Sequence, residues 1–200
     1  TTAISSLSTA AISSFSVNQV FALITAQIAA LTTDEISSLK STQVAAMGTN
    51  QITTLTTDQI VALSTSQVAK MTTAQVAAIT TAQIAAMETD DLMSLSSTQV
   101  SALKTTQLSA ISTDQFNVLK TNQIKGLTSA QVAGLSTDQI VALNTSQVLV
   151  LTTVQVAAIT SGQLAAMESE DLVLLSSTQF KNLSSSAIAS LTTSQLADVT

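Results

Sequence analysis

Two clusters of acidic residues are the groups in this chain whose types and spacing best suit ligand binding. Each cluster places three carboxylates within four residues: Glu88, Asp90 and Asp91 in the first, Glu168, Glu170 and Asp171 in the second. Because Ca²⁺ prefers oxygen ligands, the clusters predict two candidate calcium sites, and calcium is the only cofactor that the sequence suggests. Acidic residues also favour the first turn of a helix through its dipole, and that interpretation needs no metal ion.

A column of hydroxyl side chains is the second feature that could do chemistry. Counted in steps of eight from Thr137, 24 of 25 positions are Thr or Ser, and we call them the Thr column. A regular outward rank of Thr residues would suit an ice-binding surface. Seven members of the column are Ser, which keeps the hydroxyl oxygen and loses the methyl group. That pattern favours helix capping, with ice binding as the alternative.

The residue types that are missing exclude most other functions. The chain has no His and no Cys, so it lacks the groups for a catalytic triad, a cysteine nucleophile or a zinc site, and we expect no enzyme activity. Six basic residues against 12 acidic ones give a net charge of −6, which argues against nucleic acid as a partner. Thr or Ser interrupts every apolar run before the roughly 18 residues that a membrane helix needs, so we expect no membrane insertion.

An eight-residue unit repeats along the whole chain and must position these side chains. With residues 136–143 as the reference octad, the columns through Ile140 and Leu143 are apolar at all 25 positions. The column through Gln139 is Gln at 19 of 25 positions. We call these the two core columns and the Gln column. A fixed short period predicts an array in which each unit contacts mainly its neighbours.

The eight-residue period can be tested against three backbone conformations: one continuous helix, a β-strand, and one short helix per octad. In one continuous helix, eight residues advance by about 800°, so successive apolar pairs diverge by about 80° and no apolar stripe survives. In a strand, Ile140 and Leu143 lie three residues apart and face opposite sides. One short helix per octad places both on one face. The sequence therefore predicts an all-α solenoid or superhelix of very short helices, with a thin β-solenoid as the alternative.

The hydroxyl residues indicate where each predicted helix begins. Thr137 is the preferred N-cap because its column is the more uniform, whereas a cap at Ser136 makes Gln139 its partner in a capping box. Either assignment gives a helix of about six residues, far below the ~12 that are stable alone, so neighbouring helices must hold it. The Gln column predicts hydrogen bonds between successive turns of the array.

The run from Leu135 to Leu143, Leu-Ser-Thr-Asp-Gln-Ile-Val-Ala-Leu, resembles the octapeptide repeats (Leu-Thr-Thr-x-Gln-Ile-x-Ala-Leu) of very large, low-complexity bacterial secreted and surface proteins. The resemblance covers the entire chain and names no residue as a site. It implies a structural protein, secreted or at the cell surface, that serves as a spacer, fibre, adhesin or filament component. The implied partners are further copies of the protein or cell-surface and matrix components. An ice-binding or calcium-binding extracellular module and a peptide-binding solenoid are the alternatives.

The repeats also predict the domain organisation. Residues 1–200 form one array of 25 octads, within which a longer repeat of about 80 residues covers 57–136 and 137–200. Because the chain has neither an initiator Met nor a signal segment, we expect it to be a piece of a longer array.

Overall fold

Short α-helices make up all the regular secondary structure that is described. A computed structural model describes residue 4 and residues 7–199, and these residues form 24 helices of four to six residues and no strand. The predicted all-α repeat array is therefore confirmed, and the alternative β-solenoid is wrong. The helices are α1 (Thr9–Ser13), α2 (Val17–Ala22), α3 (Thr25–Ala29), α4 (Thr33–Ser38), α5 (Ser41–Ala46), α6 (Thr49–Thr54), α7 (Thr57–Val61), α8 (Thr65–Val68), α9 (Thr73–Ala78), α10 (Thr81–Ala86), α11 (Thr89–Ser94), α12 (Ser97–Ser101), α13 (Thr105–Leu108), α14 (Thr113–Asn117), α15 (Thr121–Lys125), α16 (Ser129–Ala133), α17 (Thr137–Val141), α18 (Thr145–Leu149), α19 (Thr153–Ala157), α20 (Ser161–Ala166), α21 (Ser169–Leu172), α22 (Ser177–Lys181), α23 (Ser185–Ile188) and α24 (Thr193–Asp198).

Each helix begins after a residue of the column through Ser136, which we call the cap column. Ser136 has extended backbone angles (φ −69°, ψ 160°), and its hydroxyl oxygen accepts a hydrogen bond from the backbone N–H of Gln139 at 3.1 Å. The preferred assignment of Thr137 as the N-cap is wrong, because Thr137 is already the first helical residue. The alternative, Ser136 with Gln139 in a capping box, is confirmed.

The turns between helices use ordinary backbone angles. After the six-residue helix α4, Leu39 is extended (φ −61°, ψ 140°), and so is the following cap residue, Lys40 (φ −69°, ψ 149°). No described residue has a positive φ. Because any L-residue adopts these angles, the turns require neither Gly nor Pro. The chain can therefore repeat its octad with four Gly and no Pro.

Backbone contacts divide the chain into two compact units, Thr1–Leu103 and Lys104–Thr200. In each unit a helix packs mainly against the third helix after it, from α1 against α4 to α9 against α12 in the N-terminal unit. The same spacing runs from α13 against α16 to α21 against α24 in the C-terminal unit. The core columns lie between these helices, where Ile60 and Leu63 expose 1% and 4% of their surface. Each unit is thus a solenoid around a double row of apolar side chains.

The Thr column contributes to the contact between packed helices. A Cβ atom placed on Gly134 would lie 3.0 Å from the Cγ2 of Thr105, 29 residues earlier. The equivalent residue two turns of the array later, Ser190, donates a hydrogen bond to the backbone carbonyl of Ser161 at 2.9 Å, again 29 residues earlier. The column through Ala142 therefore packs against the Thr column. This close contact explains why Ala, Ser or Gly occupies most of the Ala142 column.

Candidate functional site

The Gln column forms the most regular set of polar contacts in the protein. The Oε1 of Gln59 accepts a hydrogen bond from the backbone N–H of Thr56 at 2.8 Å, which completes the capping box of α7. Its Nε2 donates to the backbone carbonyls of Ile28 and Leu31, at 3.1 and 2.7 Å. We call this set of three hydrogen bonds the Gln bridge. It joins the start of one helix to the end of a helix four octads earlier.

Only glutamine meets all the demands of this position. The bridge needs an acceptor for the cap N–H and, on the same terminal group, two N–H donors for two carbonyls. Glutamate offers the acceptor without the donors, and asparagine is shorter by one methylene. The bridge gives the carbonyl of Leu31 a donor, and it adds a second donor to the carbonyl of Ile28, which also accepts the backbone N–H of Leu31 at 3.2 Å. Gln59 itself exposes only 3% of its surface.

The bridge keeps the same geometry along both units. The distance from Nε2 to the carbonyl oxygen 28 residues earlier is 2.7 Å at Gln43 and 2.7 Å at Gln99 in the N-terminal unit. It is 2.8 Å at Gln139 and 2.7 Å at Gln195 in the C-terminal unit. Helices pack three octads apart while the bridges span four, so one turn of each solenoid contains between three and four octads.

The acidic clusters, predicted as calcium sites, do not bring their three carboxylates together. Glu88 is the cap residue of α11 and is exposed, and Asp90 is exposed at the second helical position. Asp91 occupies the Gln column and turns inward, with 2% of its surface exposed. The second cluster is divided in the same way, with Asp171 buried at 9% exposure. Within the described residues no three acidic side chains are grouped as a metal ion requires.

The buried member of each acidic cluster is electrostatically unfavourable as a carboxylate. The Oδ2 of Asp91 is buried and has no hydrogen-bond partner. Burial, followed by the negative charges of Glu88 and Asp90, raises the pKa of Asp91 to about 6. Burial likewise raises the pKa of Asp171, followed by the charges of Glu168 and Glu170. At these two positions of the Gln column, a buried aspartate replaces the bridging glutamine.

The described surface offers small apolar features rather than a deep cleft. Phe21 and Ile24 expose 65% and 62% of their surfaces and, with Gly48, line an open groove of about 440 Å³ in the N-terminal unit. Each helix in the described part of the chain is too short to cross a bilayer.

A comparison with known protein families matches five segments of the chain, residues 33–65, 57–87, 84–121, 116–145 and 164–200, to the ALTTAQ repeat. The matched segments cover well over half of the sequence. The chain belongs to the ALTTAQ repeat family. A search of curated proteins found no match to it.

The ALTTAQ repeat motif corresponds to the part of the octad that makes the contacts described above. Residues 78–83 read Ala-Ile-Thr-Thr-Ala-Gln, which differs from the family's name at one letter. In order, they supply the small residue, the second core residue, the N-cap Thr80, the first two helical residues and the bridging Gln83. The hydroxyl oxygen of Thr80 accepts a hydrogen bond from the backbone N–H of Gln83 at 3.2 Å, and Gln83 Nε2 donates to the carbonyl of Leu55 at 2.6 Å.

The main site feature that residue types alone did not predict is the burial of Asp91 and Asp171. Both were grouped with their exposed acidic neighbours as candidate ligands. The available signal was their position in the Gln column, since that column faces the interior wherever it forms a bridge. Calcium binding by the two clusters stays a prediction, and their geometry gives it no further support.

Proposed function

We propose that this ALTTAQ repeat array is a passive structural spacer, which holds whatever is attached to it at a set separation. The observation that carries the proposal is the Gln bridge. The strict columns of the octad are all used in internal contacts: the core columns fill the interior, the Gln column joins successive turns, and the Thr column packs against the Ala142 column. The outward columns vary widely in residue type, as a surface without a fixed ligand does.

The proposed setting is extracellular, as part of a secreted or cell-surface protein of a bacterium, in a fibre, adhesin or filament. The resemblance to octapeptide repeats of large bacterial surface proteins supports that setting. A chain without Cys is also compatible with an oxidising exterior. Self-association or contact with surface and matrix components would then connect the array to its surroundings.

Distances between outward positions test the spacer directly. Because the chain has no Cys, pairs of introduced cysteines can carry spin labels without background. Ala26, Asn50, Ala74 and Thr98 are all exposed in one column of the N-terminal unit and lie 24 residues apart. Labels at Ala26 paired with each of the other three positions should give narrow distance distributions whose means increase with sequence separation.

Two results would contradict the spacer. Broad distributions, or means that do not increase with separation, would show that the array does not hold a set length. Distances that change on addition of millimolar Ca²⁺ would indicate a ligand-responsive module instead. Thermal hysteresis of a dilute solution would favour the ice-binding alternative over a spacer.

A further inference from the structure

Two helices lack a Gln bridge because an aspartate replaces the glutamine. Elsewhere the Gln amide donates to the carbonyls 31 and 28 residues earlier. For Asp91 these are the carbonyls of Ile60 and Leu63, and for Asp171 they are those of Ile140 and Leu143. Among the described residues, no side-chain donor reaches the carbonyl oxygen of Leu63 or of Leu143. Each unit therefore contains one contact between turns at which a buried aspartate takes the place of the usual donor.

The aspartate at each contact adds an acceptor where a donor is needed. Asp91 Oδ2 is buried without a partner, and the side chain as a whole exposes only 2% of its surface. An ionised carboxylate can only accept hydrogen bonds, whereas a protonated carboxyl group carries one O–H donor. The carbonyl of Ile60 accepts the backbone N–H of Leu63 at 3.1 Å, so ionised Asp91 leaves two acceptors without a donor, its own Oδ2 and the carbonyl of Leu63.

We propose that Asp91 and Asp171 form two proton-controlled seams, at which the contact between successive turns tightens when the carboxyl group is protonated and loosens when it ionises. Protonation removes a buried negative charge and gives the carboxyl group an O–H donor at a contact that otherwise lacks the Gln amide. The contacts between turns that are held by Gln have no titratable group in the Gln column and should not respond to pH.

The charged residues around each seam act in the same direction. Glu88 is the N-cap of α11, and Asp90 lies on that helix beside Asp91. The helix packed against it, α8, has no charged residue and is followed by Lys70. The preceding helix, α7, carries Asp58.

The second seam has the same character. Glu168 and Glu170 flank Asp171; the packed helix α24 carries Asp198, and α17 carries Asp138. Asp198 and Glu170 line one surface pocket. Acidic neighbours outnumber Lys70 at the first seam and Lys181, which lines a pocket with Leu172, at the second, so they favour protonation of both buried carboxyl groups.

The sign of the effect follows from proton linkage. Burial and neighbouring charge raise the pKa of Asp91 in the folded protein from 3.8 to about 6, so the folded state binds the proton more tightly than the unfolded state. The stabilisation by protonation is complete below pH 3.8 and is lost as the pH rises through about 6. Asp171 shifts in the same direction. Mild acid should therefore stabilise the array.

Melting curves of the full 200-residue chain at pH 5.0 and pH 7.5 test the seams. All variants are made in a Glu35→Gln background, because Glu35 is the remaining acidic residue of the Gln column. We expect this parent to melt about 5 °C higher at pH 5.0 than at pH 7.5. The double variant Asp91→Gln/Asp171→Gln should melt higher than the parent at pH 7.5 and show no such difference.

A matched control removes the same charge without touching a seam. Asp34→Gln/Asp114→Gln changes two exposed residues at the second helical position, one in each unit, and should keep the full pH difference. The proposal is overturned if the parent melts equally at both pH values or if the seam variant retains the difference. As a measurement that needs no variant, ¹³C NMR of the Asp91 and Asp171 carboxyl groups should give titration midpoints well above 3.8. Midpoints at the ordinary value would also overturn it.

Discussion

A glutamine of the Gln column stabilises this protein most when both the oxygen and the nitrogen of its side-chain amide form hydrogen bonds. Gln59 is buried and forms the complete bridge, with one accepted and two donated hydrogen bonds. Gln19 is exposed and makes only the capping bond, from the N–H of Ser16 to its Oε1 at 2.7 Å. The same residue type in the same column therefore has two different energetic roles, and the difference can be measured.

Gln59→Ala should destabilise the N-terminal unit much more than Gln19→Ala does. The first change removes the acceptor of the Thr56 N–H, leaves the carbonyl of Leu31 unpaired and takes one of two donors from the carbonyl of Ile28, and it should lower the free energy of unfolding by roughly 3 kcal/mol. The second removes one exposed capping bond and should cost about 1 kcal/mol. Urea unfolding followed by circular dichroism measures both. Equal losses would mean that the bonds between turns contribute little.

Glu35→Gln should stabilise the protein. The Oε2 of Glu35 accepts the Thr32 N–H at 2.7 Å, as a bridging Gln does, but its Oε1 is buried without a partner. An amide at this position replaces that oxygen with a donor. We expect a gain of about 1 kcal/mol at pH 7 in the same urea experiment. Glu35→Ala is the control and should be less stable than both, because it loses the capping bond.

Each helix depends on its cap because four to six residues cannot form a stable helix alone. The cap column supplies a hydroxyl at most positions. Where it does not, as at Lys120, the backbone N–H of Gln123 bonds at 2.9 Å to the carbonyl of Lys120 itself. The Gln side chain still accepts the cap N–H at 2.8 Å, so these helices keep half of their capping box.

Ser136→Ala should cost about 1 kcal/mol, because it removes the hydroxyl that caps α17. Thr137→Ala changes the first helical residue, whose hydroxyl caps nothing, and should cost less than about 0.5 kcal/mol. Thermal unfolding of the two variants under the same conditions shows which of the two columns supplies the N-cap. If Thr137→Ala lowered the stability more than Ser136→Ala does, the Thr column and not the cap column would supply the N-caps.

The octad pattern predicted the helices because the two core columns share a face only when one short helix forms per octad. It predicted that Gln joins successive turns, but not which atoms accept, since the partners lie 28 and 31 residues away and local spacing does not reveal them. The sequence favoured Thr137 over Ser136 as the N-cap because the Thr column is the more uniform of the two. That uniformity reflects the packing of the Thr column against the Ala142 column, and not capping. The sequence likewise did not indicate that Asp91 is buried, because the burial of its column is evident only from the structure.

At the scale of the whole molecule, the spacing of the bridges means that insertions and deletions should be tolerated best in multiples of eight residues. Packing pairs helices three octads apart, and bridges pair residues 28 and 31 positions apart. A change in length that is a multiple of eight keeps every column in register with its partners. Any other change moves Gln side chains out of register with the carbonyls of the core columns.

Deleting residues 73–80 should therefore be tolerated better than deleting only residues 73–76. After the eight-residue deletion, Gln83 lies 28 positions after Met47, another core-column residue that can replace Leu55 as its acceptor. After the four-residue deletion, the residue at that separation is Gln51, inside α6 and outside the core columns. The shorter deletion removes one core side chain and the longer removes two, so burial alone predicts the opposite order. Urea midpoints and helical circular dichroism should rank the eight-residue deletion as the more stable protein, and the reverse order would show that register does not govern the array.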